Sequence, residues 1–277
     1  MSDTMNNIIA ITNRKLCKNR SFDEAIDTAL EDNVRYIIIR EKDLSPQEYI
    51  KFVNDIQLHI HNTFPDTQTK IIMNLGNVEN IFELFEIINN TGCRNVHMPI
   101  YTLDKLEASV FDIRNNTFND IKNNTKNSNI DNRNTNNKDI NNSNIKINNT
   151  KINNVRKELD IFGISIHSVN DIEKTYRFKP DYYIAGHIFN TECKKGKVPR
   201  GLDFMENICK STDIPVYGVG GINKDNMKEV IHAGASGVCM MSEYFNWLSS
   251  ILILTDWFIR IKLCRKSACT IRWYNFR

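Results

Sequence analysis

The sequence predicts a (β/α)8 TIM barrel in a single domain, and the order of its segments is the main observation behind this prediction. Short, apolar, β-branched runs alternate along the chain with amphipathic stretches of helical period. Repeated strand–helix units imply parallel strands joined by right-handed crossovers. Because there are eight strand candidates, a closed barrel is favoured over the alternative from the same pattern, an open, doubly wound sheet.

The strand candidates are short runs rich in β-branched and aromatic residues, and polar or turn-forming residues bound each of them. Nearly continuous apolar character is typical of parallel strands that are buried on both faces. In chain order the candidates are Ile8–Thr12, Tyr36–Arg40, Lys70–Asn74, Asn95–Met98, Ile161–Ile166, Tyr182–Ala185, Val216–Val219 and Gly237–Met241.

The helix candidates lie between these strands and have apolar residues at helical spacing. The first has Ser21 at the N-cap and Glu24 at the capping-box position, and Gly234 follows the last as a typical terminating residue. The only candidate for a helix after the eighth strand is Glu243–Leu263. The others are Ser21–Glu31, Pro46–Ile60, Val78–Asn89, Leu103–Ile113, Val169–Tyr176, Leu202–Lys210 and Lys224–Ala233.

Composition and charge exclude several classes of protein. The chain has 277 residues and a formal net charge of +3, which argues against a nucleic-acid partner. No apolar run reaches the roughly 20 residues of a membrane helix, and the N-terminus lacks the pattern of a secretory signal. The seven cysteines are scattered without metal-binding spacing, so we expect reduced thiols and a cytoplasmic location.

Two segments differ from the rest of the chain and divide it into four parts. Residues 115–154 contain eighteen Asn in forty residues and are predicted to be a disordered, low-complexity insert, with an Asn-rich self-association tract as the alternative. The insert precedes a strand, which places it on the face of the barrel opposite the site. The barrel halves are therefore residues 1–114 and 155–245.

Residues 246–277 form a basic, aromatic tail with all three Trp and with six Lys or Arg against one Asp. A membrane-surface helix is one interpretation of such a tail. Its polar and apolar residues do not separate cleanly onto two faces, which favours a terminal helix packed on the barrel or an extension without a structural role.

In a barrel of this kind the functional groups lie at the carboxyl ends of the strands, and there the sequence places a glycine-rich turn. The run Gly218–Asn223 closes the seventh strand and opens a helix, and its glycines Gly218, Gly220 and Gly221 let the backbone approach an anion. Ser242 follows the eighth strand, and turns seven and eight commonly bind phosphate in barrels. We expect a phosphate site here, although a tight turn alone also requires glycine.

Basic residues follow the second and sixth strands. Arg40 and Lys42 suit a phosphate, a diphosphate or a carboxylate, and the alternative is a local salt-bridge cluster with Glu41 and Asp43. After strand six lies a long basic loop, residues 191–200, in which Lys194 or Lys195 is expected to close over an anionic ligand.

Histidines follow the fifth and sixth strands. His167 and His187 are each interpreted either as a proton shuttle near neutral pH or as a structural, hydrogen-bonded residue. Cys193 lies beside two lysines, but no partner base marks it as a nucleophile.

These residues together resemble the thiamine-phosphate synthase and thiazole tautomerase family, over residues 5 to about 245 without the insert. One run, Gly186–Gly196, is closer to the tautomerase branch, because it has His187 and Cys193 where the synthase branch typically has Pro and Thr. The other matching segments are Ile11–Arg14, Arg40–Leu44, Asn95–Met98, Gly163–Ser168, Gly220–Ile222 and Met241–Ser242.

The resemblance implies a barrel that binds a thiazole phosphate through the backbone near Gly220, Gly221 and Ser242. In the tautomerase His167 would move the proton, with Ser165, Ser168 or a water to orient it. The positions that hold the pyrimidine diphosphate in the synthase are Arg40, Lys42, Asn74, Ser165, Thr191 and Lys194.

The chain departs from the synthase at the two aspartates that hold Mg²⁺ in that branch. Leu75 and Thr102 stand at these positions, and neither supplies the carboxylate oxygens that Mg²⁺ prefers. The leading hypothesis is therefore a metal-independent isomerase, a thiazole tautomerase, that needs no cofactor and converts a carboxythiazole phosphate into its aromatic isomer by proton transfer.

Two alternatives remain open. One is a thiamine-phosphate synthase that joins the pyrimidine diphosphate to the thiazole phosphate with Mg²⁺, and the other is a non-catalytic, regulatory relative that binds the thiazole phosphate. In each case the expected partner is a small molecule rather than a nucleic acid or a membrane, and a homo-oligomer is compatible with the sequence.

Overall fold

The computed structural model describes residues 7–18, 20–109 and 152–246. Eight parallel strands form a closed barrel in chain order, and β1 pairs with both β2 and β8. The predicted (β/α)8 barrel is confirmed, and the open-sheet alternative is wrong because β8 returns to β1. The strands are β1 (Ile8–Ile11), β2 (Tyr36–Ile39), β3 (Lys70–Asn74), β4 (Asn95–Pro99), β5 (Ile161–Ile166), β6 (Tyr182–Gly186), β7 (Val216–Val219) and β8 (Gly237–Met240).

Helices connect successive strands around the outside of the barrel. Ser21 caps the first helix and Ser45 the second, and both form full capping boxes, with Glu24 and Glu48 respectively. The helices are α1 (Phe22–Glu31), α2 (Pro46–Thr63), α3 (Ile81–Thr91), α4 (100–109), α5 (Ile152–Lys157), α6 (Val169–Thr175), α7 (Gly201–Lys210), α8 (Met227–His232) and α9 (Ser242–Phe245).

Two helices begin later than their apolar pattern predicts, and in each case an asparagine explains the shift. Asn80 caps α3 by accepting hydrogen bonds from the backbone of Phe82 and Glu83, so the helix cannot start at Val78. Asn223 accepts from the backbone N–H groups of residues 225 and 226, which forms a turn before α8.

The predicted insert and tail lie almost entirely outside the described residues. The prediction extends the insert to Asn154, and α5 begins at Ile152. Val155 and Leu159 are buried, and their packing against the barrel favours helix at this point. Of the tail, only Asn246 is described.

The core has two layers because successive strand residues point to opposite faces. One layer lies between the strands and the helices. The other fills the barrel and is formed by Ile9, Ile11, Ile38, Ile72, Ile161, Tyr182, Ile184, Tyr217 and Cys239. The interior is therefore packed with side chains.

Helix α9 packs on α1 beside the closure of the barrel. Tyr244 and Phe245 are fully buried, and the Phe245 ring stacks on Phe22 at a centroid distance of 5.5 Å. The Tyr244 hydroxyl donates to Asp32 Oδ2 over 3.2 Å. The described part of the predicted eighth helix thus packs on α1 and on the turn Arg14–Leu16, while residues 247–263 of that prediction lie outside the described chain.

No helix in the described ranges has both the length and the apolar character that crossing a membrane requires.

Candidate active site

The closed parallel barrel brings the carboxyl ends of all eight strands to one mouth, and the residues predicted for the site lie there. Arg40 directly follows β2, and Asn74 is the last residue of β3. Ser165 lies in β5 one residue before its end, and His167 directly follows that strand. The positions of the other predicted residues are Lys42, Thr191 and Lys194 in the loops after β2 and β6, and Gly220, Gly221 and Ser242 after β7 and β8.

Glu41 is 6% exposed and lines the same cavity as Lys42 and Asn74. Its carboxylate accepts hydrogen bonds from Thr12 Oγ1 at 2.8 Å and from the backbone N–H of Arg14 at 3.1 Å, and it pairs with Arg14 Nε at 3.6 Å. Asp43 pairs with Arg14 at 2.6 Å and with Lys15 at 3.1 Å. The two acids after β2 are thus occupied by cations that follow β1.

This arrangement corrects the alternative in which Arg40 and Lys42 form a salt-bridge cluster with Glu41 and Asp43. Within the described chain neither cation has a carboxylate oxygen within 4.0 Å. The pKa of Lys42 is lowered by partial burial and then by the charge of Arg40. Lys42 and Asn74 also line one cavity of about 200 Å³. Both cations are therefore available to an anion from solution.

The basic loop 191–200 is held at both ends. Thr191 begins a short 3-10 turn, Glu192–Lys194, and its carbonyl accepts from the Lys194 N–H at 3.0 Å. At the other end, the Arg200 N–H donates to the His187 carbonyl at 3.0 Å. These contacts direct the loop back over the end of β6.

Lys194 lies within electrostatic range of four other cations. Its pKa is lowered, first by partial burial and then by the charges of Lys197, Arg200, Arg40 and Lys42. The loop after β6 and the turn after β2 therefore build one positive cluster from two sides of the mouth. Such a cluster suits a ligand with several negative charges.

His167 lies beside this cluster. Its pKa is lowered by burial, then by the charges of Lys194 and Arg200. The imidazole is therefore neutral at pH 7 and is able to accept a proton.

Neither Ser165 nor Ser168 orients the His167 ring as expected, because both serines have other hydrogen-bond partners. Ser165 Oγ pairs with His97 Nε2 at 2.7 Å, and Ser168 Oγ accepts from the backbone N–H of Asp171 at 3.2 Å as the cap of α6. Asp171 in turn accepts from the His167 backbone N–H at 2.6 Å. These bonds place the strand end and the start of α6, and they leave the imidazole ring without a serine partner.

The glycine-rich turn after β7 packs directly against the loop after β6. Gly220 has φ +103°, and a Cβ there would lie 2.3 Å from the His187 Cβ. Gly221 has φ +67°, and its Cβ would lie 2.3 Å from the carbonyl oxygen of Asn190. These glycines are thus required by conformation and by a close backbone approach, which adds a packing reason to the predicted phosphate role. Ser242, the first residue of α9, is exposed on the neighbouring strand end.

The two positions that bind Mg²⁺ in the synthase branch do not fit this ion. Leu75 is apolar and 3% exposed, and it packs into the core. Thr102 is fully buried, and its hydroxyl donates to the Gly76 carbonyl at 3.0 Å. Nearby, Glu79 pairs with Lys105 at 2.7 Å. Across the described residues no group of three or more His, Cys, Asp or Glu side chains is arranged to hold a metal ion.

Sequence reasoning did not single out several residues that build the mouth. Lys197 and Arg200 belong to the basic loop, and their membership of that loop was the available signal. The Arg200 guanidinium lies over the Phe204 ring at 4.9 Å, which no local motif indicates. The pairing of Arg14 with Glu41 joins two strands across 27 residues of sequence and leaves no pattern in either segment.

We predict a distinctive pH dependence for the variant Glu41→Gln. Burial raises the pKa of Glu41 despite the hydrogen bonds from Thr12 and Arg14, which lower it. Between the unfolded value and this raised folded value, the folded wild type binds more protons than the unfolded chain, so its stability falls as pH rises. The stability of the variant relative to wild type should therefore increase with pH, measured by urea unfolding between about pH 4 and 7.

The control for this experiment is Glu48→Gln. Hydrogen bonds from the Ser45 backbone and hydroxyl lower the pKa of Glu48, so its carboxylate stabilises the folded state above the unfolded pKa. The stability of this variant relative to wild type should therefore decrease as pH rises. Equal slopes for the two variants would contradict the assignment of Glu41.

Comparison with known proteins finds similarity over part of the chain. Residues 140–244 match the family model described as thiamine monophosphate synthase. The thiamine-phosphate synthase of Pyrococcus furiosus is 37% identical over 82 residues, which are 30% of this chain and 40% of that protein. That of Chlorobium phaeobacteroides is 40% identical over 83 residues, with the same two coverages. In these matches the chain spans about 40% of the length of its curated relatives.

Solved structures extend the similarity to the whole barrel. The thiamine phosphate pyrophosphorylase from Pyrococcus furiosus aligns with a TM-score of 0.54 and 18% identity, over 86% of this chain and 87% of that one. FabK from Thermotoga maritima aligns with a TM-score of 0.50 and 13% identity, over 87% of this chain and 59% of that one. At these identities the similarity shows the fold alone.

Proposed function

We propose that this protein is a transferase that joins a pyrimidine diphosphate to a thiazole phosphate. The reason is that residues 140–244 match the thiamine monophosphate synthase family model. The match supports a place in thiamine biosynthesis, and the curated relatives are named for the synthase. The sequence alone favours the tautomerase, so the comparisons shift the preference between the two activities toward the transferase.

The positive cluster is the observation that supports the transferase most directly. Lys194 of the β6 loop lies within electrostatic range of Lys197 and Arg200 in the same loop and of Arg40 and Lys42 from the β2 end. A diphosphate ester together with a phosphate monoester brings more negative charge than a single carboxythiazole phosphate. Five cations match the larger charge more closely.

The residues of this chain would act mainly by binding and by charge stabilisation. As the carbon–nitrogen bond to the thiazole forms, the bond from carbon to the diphosphate oxygen breaks, and negative charge grows on the departing diphosphate. Arg40, Lys42 and Lys194 would stabilise that charge, which would lower the energy barrier for departure of the diphosphate. The turn with Gly220 and Gly221, which packs beside the β6 loop, would hold the thiazole phosphate next to the diphosphate.

Mg²⁺ is the metal that the synthase branch implies, and the residues at its two positions do not fit it. Leu75 offers no oxygen, and the Thr102 hydroxyl is already committed to Gly76. No step in the proposed reaction therefore depends on these two positions.

This departure favours the thiazole tautomerase as the second candidate function. That reaction requires a phosphate anchor and a group that moves a proton, without a metal. His167 is neutral at pH 7 and lies beside Lys194, where a substrate carboxylate or phosphate would bind. In this candidate His167 would be the catalytic base.

Purified full-length protein tests both candidates in parallel reactions followed by NMR. The first reaction contains the pyrimidine diphosphate and the thiazole phosphate, with EDTA or with excess Mg²⁺. The second contains the non-aromatic carboxythiazole phosphate with EDTA. Formation of thiamine phosphate and free diphosphate supports the transferase. Aromatisation above the spontaneous rate in the second reaction, with no thiamine phosphate formed in the first reaction under either condition, would show that the protein is a tautomerase and not the transferase.

A further inference from the structure

A buried histidine lies directly beneath Ser165 inside the barrel. His97, in β4, is 1% exposed, and its Nε2 lies 2.7 Å from Ser165 Oγ on the adjacent strand β5. The imidazole packs against the Tyr182 ring at a centroid distance of 5.6 Å and an interplanar angle of 20°. Ser165 itself is half-buried, so the pair connects the packed interior with the mouth.

The surroundings of His97 determine where its proton lies. Its Nδ1 is buried and has no hydrogen-bond partner in the described structure. A buried N–H without an acceptor is more costly than a bare lone pair, so the proton belongs on Nε2. Burial also lowers the pKa of His97 to about 3, which keeps the ring neutral. The Nε2–H therefore donates to Ser165 Oγ.

This donation fixes the role of the serine. A hydroxyl has one proton to donate and two lone pairs that accept. Because one lone pair of Ser165 accepts from His97, the hydroxyl proton is left to point elsewhere. Ser165 is half-buried and lies one residue before the carboxyl end of β5, the end that opens to the mouth. A donor held in one orientation there loses little freedom when an anionic oxygen arrives.

We propose that His97 is a positioning residue that holds the Ser165 hydroxyl as a hydrogen-bond donor to the substrate's diphosphate group. The inference rests on the proposed function for the identity of the ligand, and on the His97–Ser165 contact for the role of the histidine. His97 touches no substrate atom in this arrangement and acts only through the serine.

Binding of inorganic diphosphate, measured by calorimetry on the full-length protein, tests the positioning role. Ser165→Ala should weaken binding about 10-fold, the effect of one hydrogen bond to a charged group. His97→Phe keeps a ring against Tyr182 but removes the Nε2–H, and it should weaken binding about 3- to 10-fold. The double variant should bind no more weakly than Ser165→Ala alone, because the histidine acts through the serine.

Tyr182→Phe is the matched control. It removes a buried hydroxyl that has no partner in the described structure, from the ring that packs against the same imidazole. Its diphosphate affinity should equal that of wild type. Additive losses in the double variant, wild-type binding by His97→Phe, or an equal loss in Tyr182→Phe would overturn the positioning role.

A second measurement keeps the inference independent of whether His97→Phe folds. The ¹⁵N chemical shifts of histidine in the wild type report the tautomer directly, and we expect His97 to be the neutral Nε2–H form at pH 7. A proton on Nδ1, or titration near the ordinary value of 6.5, would overturn the inference. If the tautomer is as expected but the wild type does not bind diphosphate, the proposed function is wrong and the assignment of the ligand falls with it.

Discussion

Replacing Arg40 and Lys194 together by glutamine is expected to weaken the binding of inorganic diphosphate by about 10²–10⁴-fold. Each residue would contribute a charge-assisted hydrogen bond worth about 1.5–3 kcal/mol, and each tenfold change in affinity corresponds to about 1.4 kcal/mol. The two residues follow β2 and β6 at the mouth and lie within electrostatic range of each other, so we expect one ligand to contact both. Calorimetry in EDTA measures the loss without a contribution from metal.

The matched control is the double variant Lys51→Gln with Arg177→Gln. It removes the same two types of charge, but Lys51 pairs with Asp55 and Arg177 pairs with Glu107, outside the positive cluster. Its diphosphate affinity should stay within about twofold of wild type, because exposed charges at a distance are screened by salt. If both double variants lose affinity equally, the cluster acts only through net charge and the proposed site is wrong.

The second large effect is expected for Gly221→Ala. The substitution places a side chain at φ +67° and puts its Cβ 2.3 Å from the carbonyl oxygen of Asn190. Left-handed strain of about 1–2 kcal/mol and overpacking of about 1–3 kcal/mol together predict a loss of about 2–5 kcal/mol of unfolding free energy. The β7 turn and the β6 loop must also move apart, so thiazole phosphate binding should fall as well.

Gly92→Ala is the control that separates the cost of the left-handed backbone from the cost of the close contact with Asn190. Gly92 ends α3 at φ +65°, nearly the angle of Gly221, and nothing lies within 4 Å of its Cβ position. Gly92→Ala should lose about 1–2 kcal/mol of unfolding free energy, and its ligand binding should be unchanged. Urea unfolding of both variants gives the difference. A loss in Gly221→Ala no larger than that in Gly92→Ala would show that the two loops do not pack as described.

Local patterns in the sequence predict the barrel well. All eight strands lie within one residue or so of their apolar runs, because burial on both faces leaves a continuous signal. The capping box of Ser21 and Glu24 is equally local and is confirmed. The starts of α3 and α8 were less predictable, since an apolar residue ahead of a helix resembles one inside it until the capping side chain is known.

For the site, too, the local sequence predicts where residues lie, but it does not predict which distant residues they contact. Positions at strand ends follow from the topology, so Arg40, His167 and Gly220 were placed at the mouth from sequence alone. The partners of those residues were not predictable. Arg14 meets Glu41, and His97 meets Ser165 across 68 residues of sequence, only because parallel strands align them.

The closure of the barrel also bears on how this chain resists aggregation. Because β8 pairs with β1, every strand has neighbours on both sides, and the folded sheet presents no edge of unpaired N–H and C=O groups. The Asn-rich tract has a composition that favours stacking into cross-β ladders. In the native protein the barrel offers no free strand edge to which such a ladder could add. The strand pair β8–β1 would first have to open before a ladder could extend the sheet.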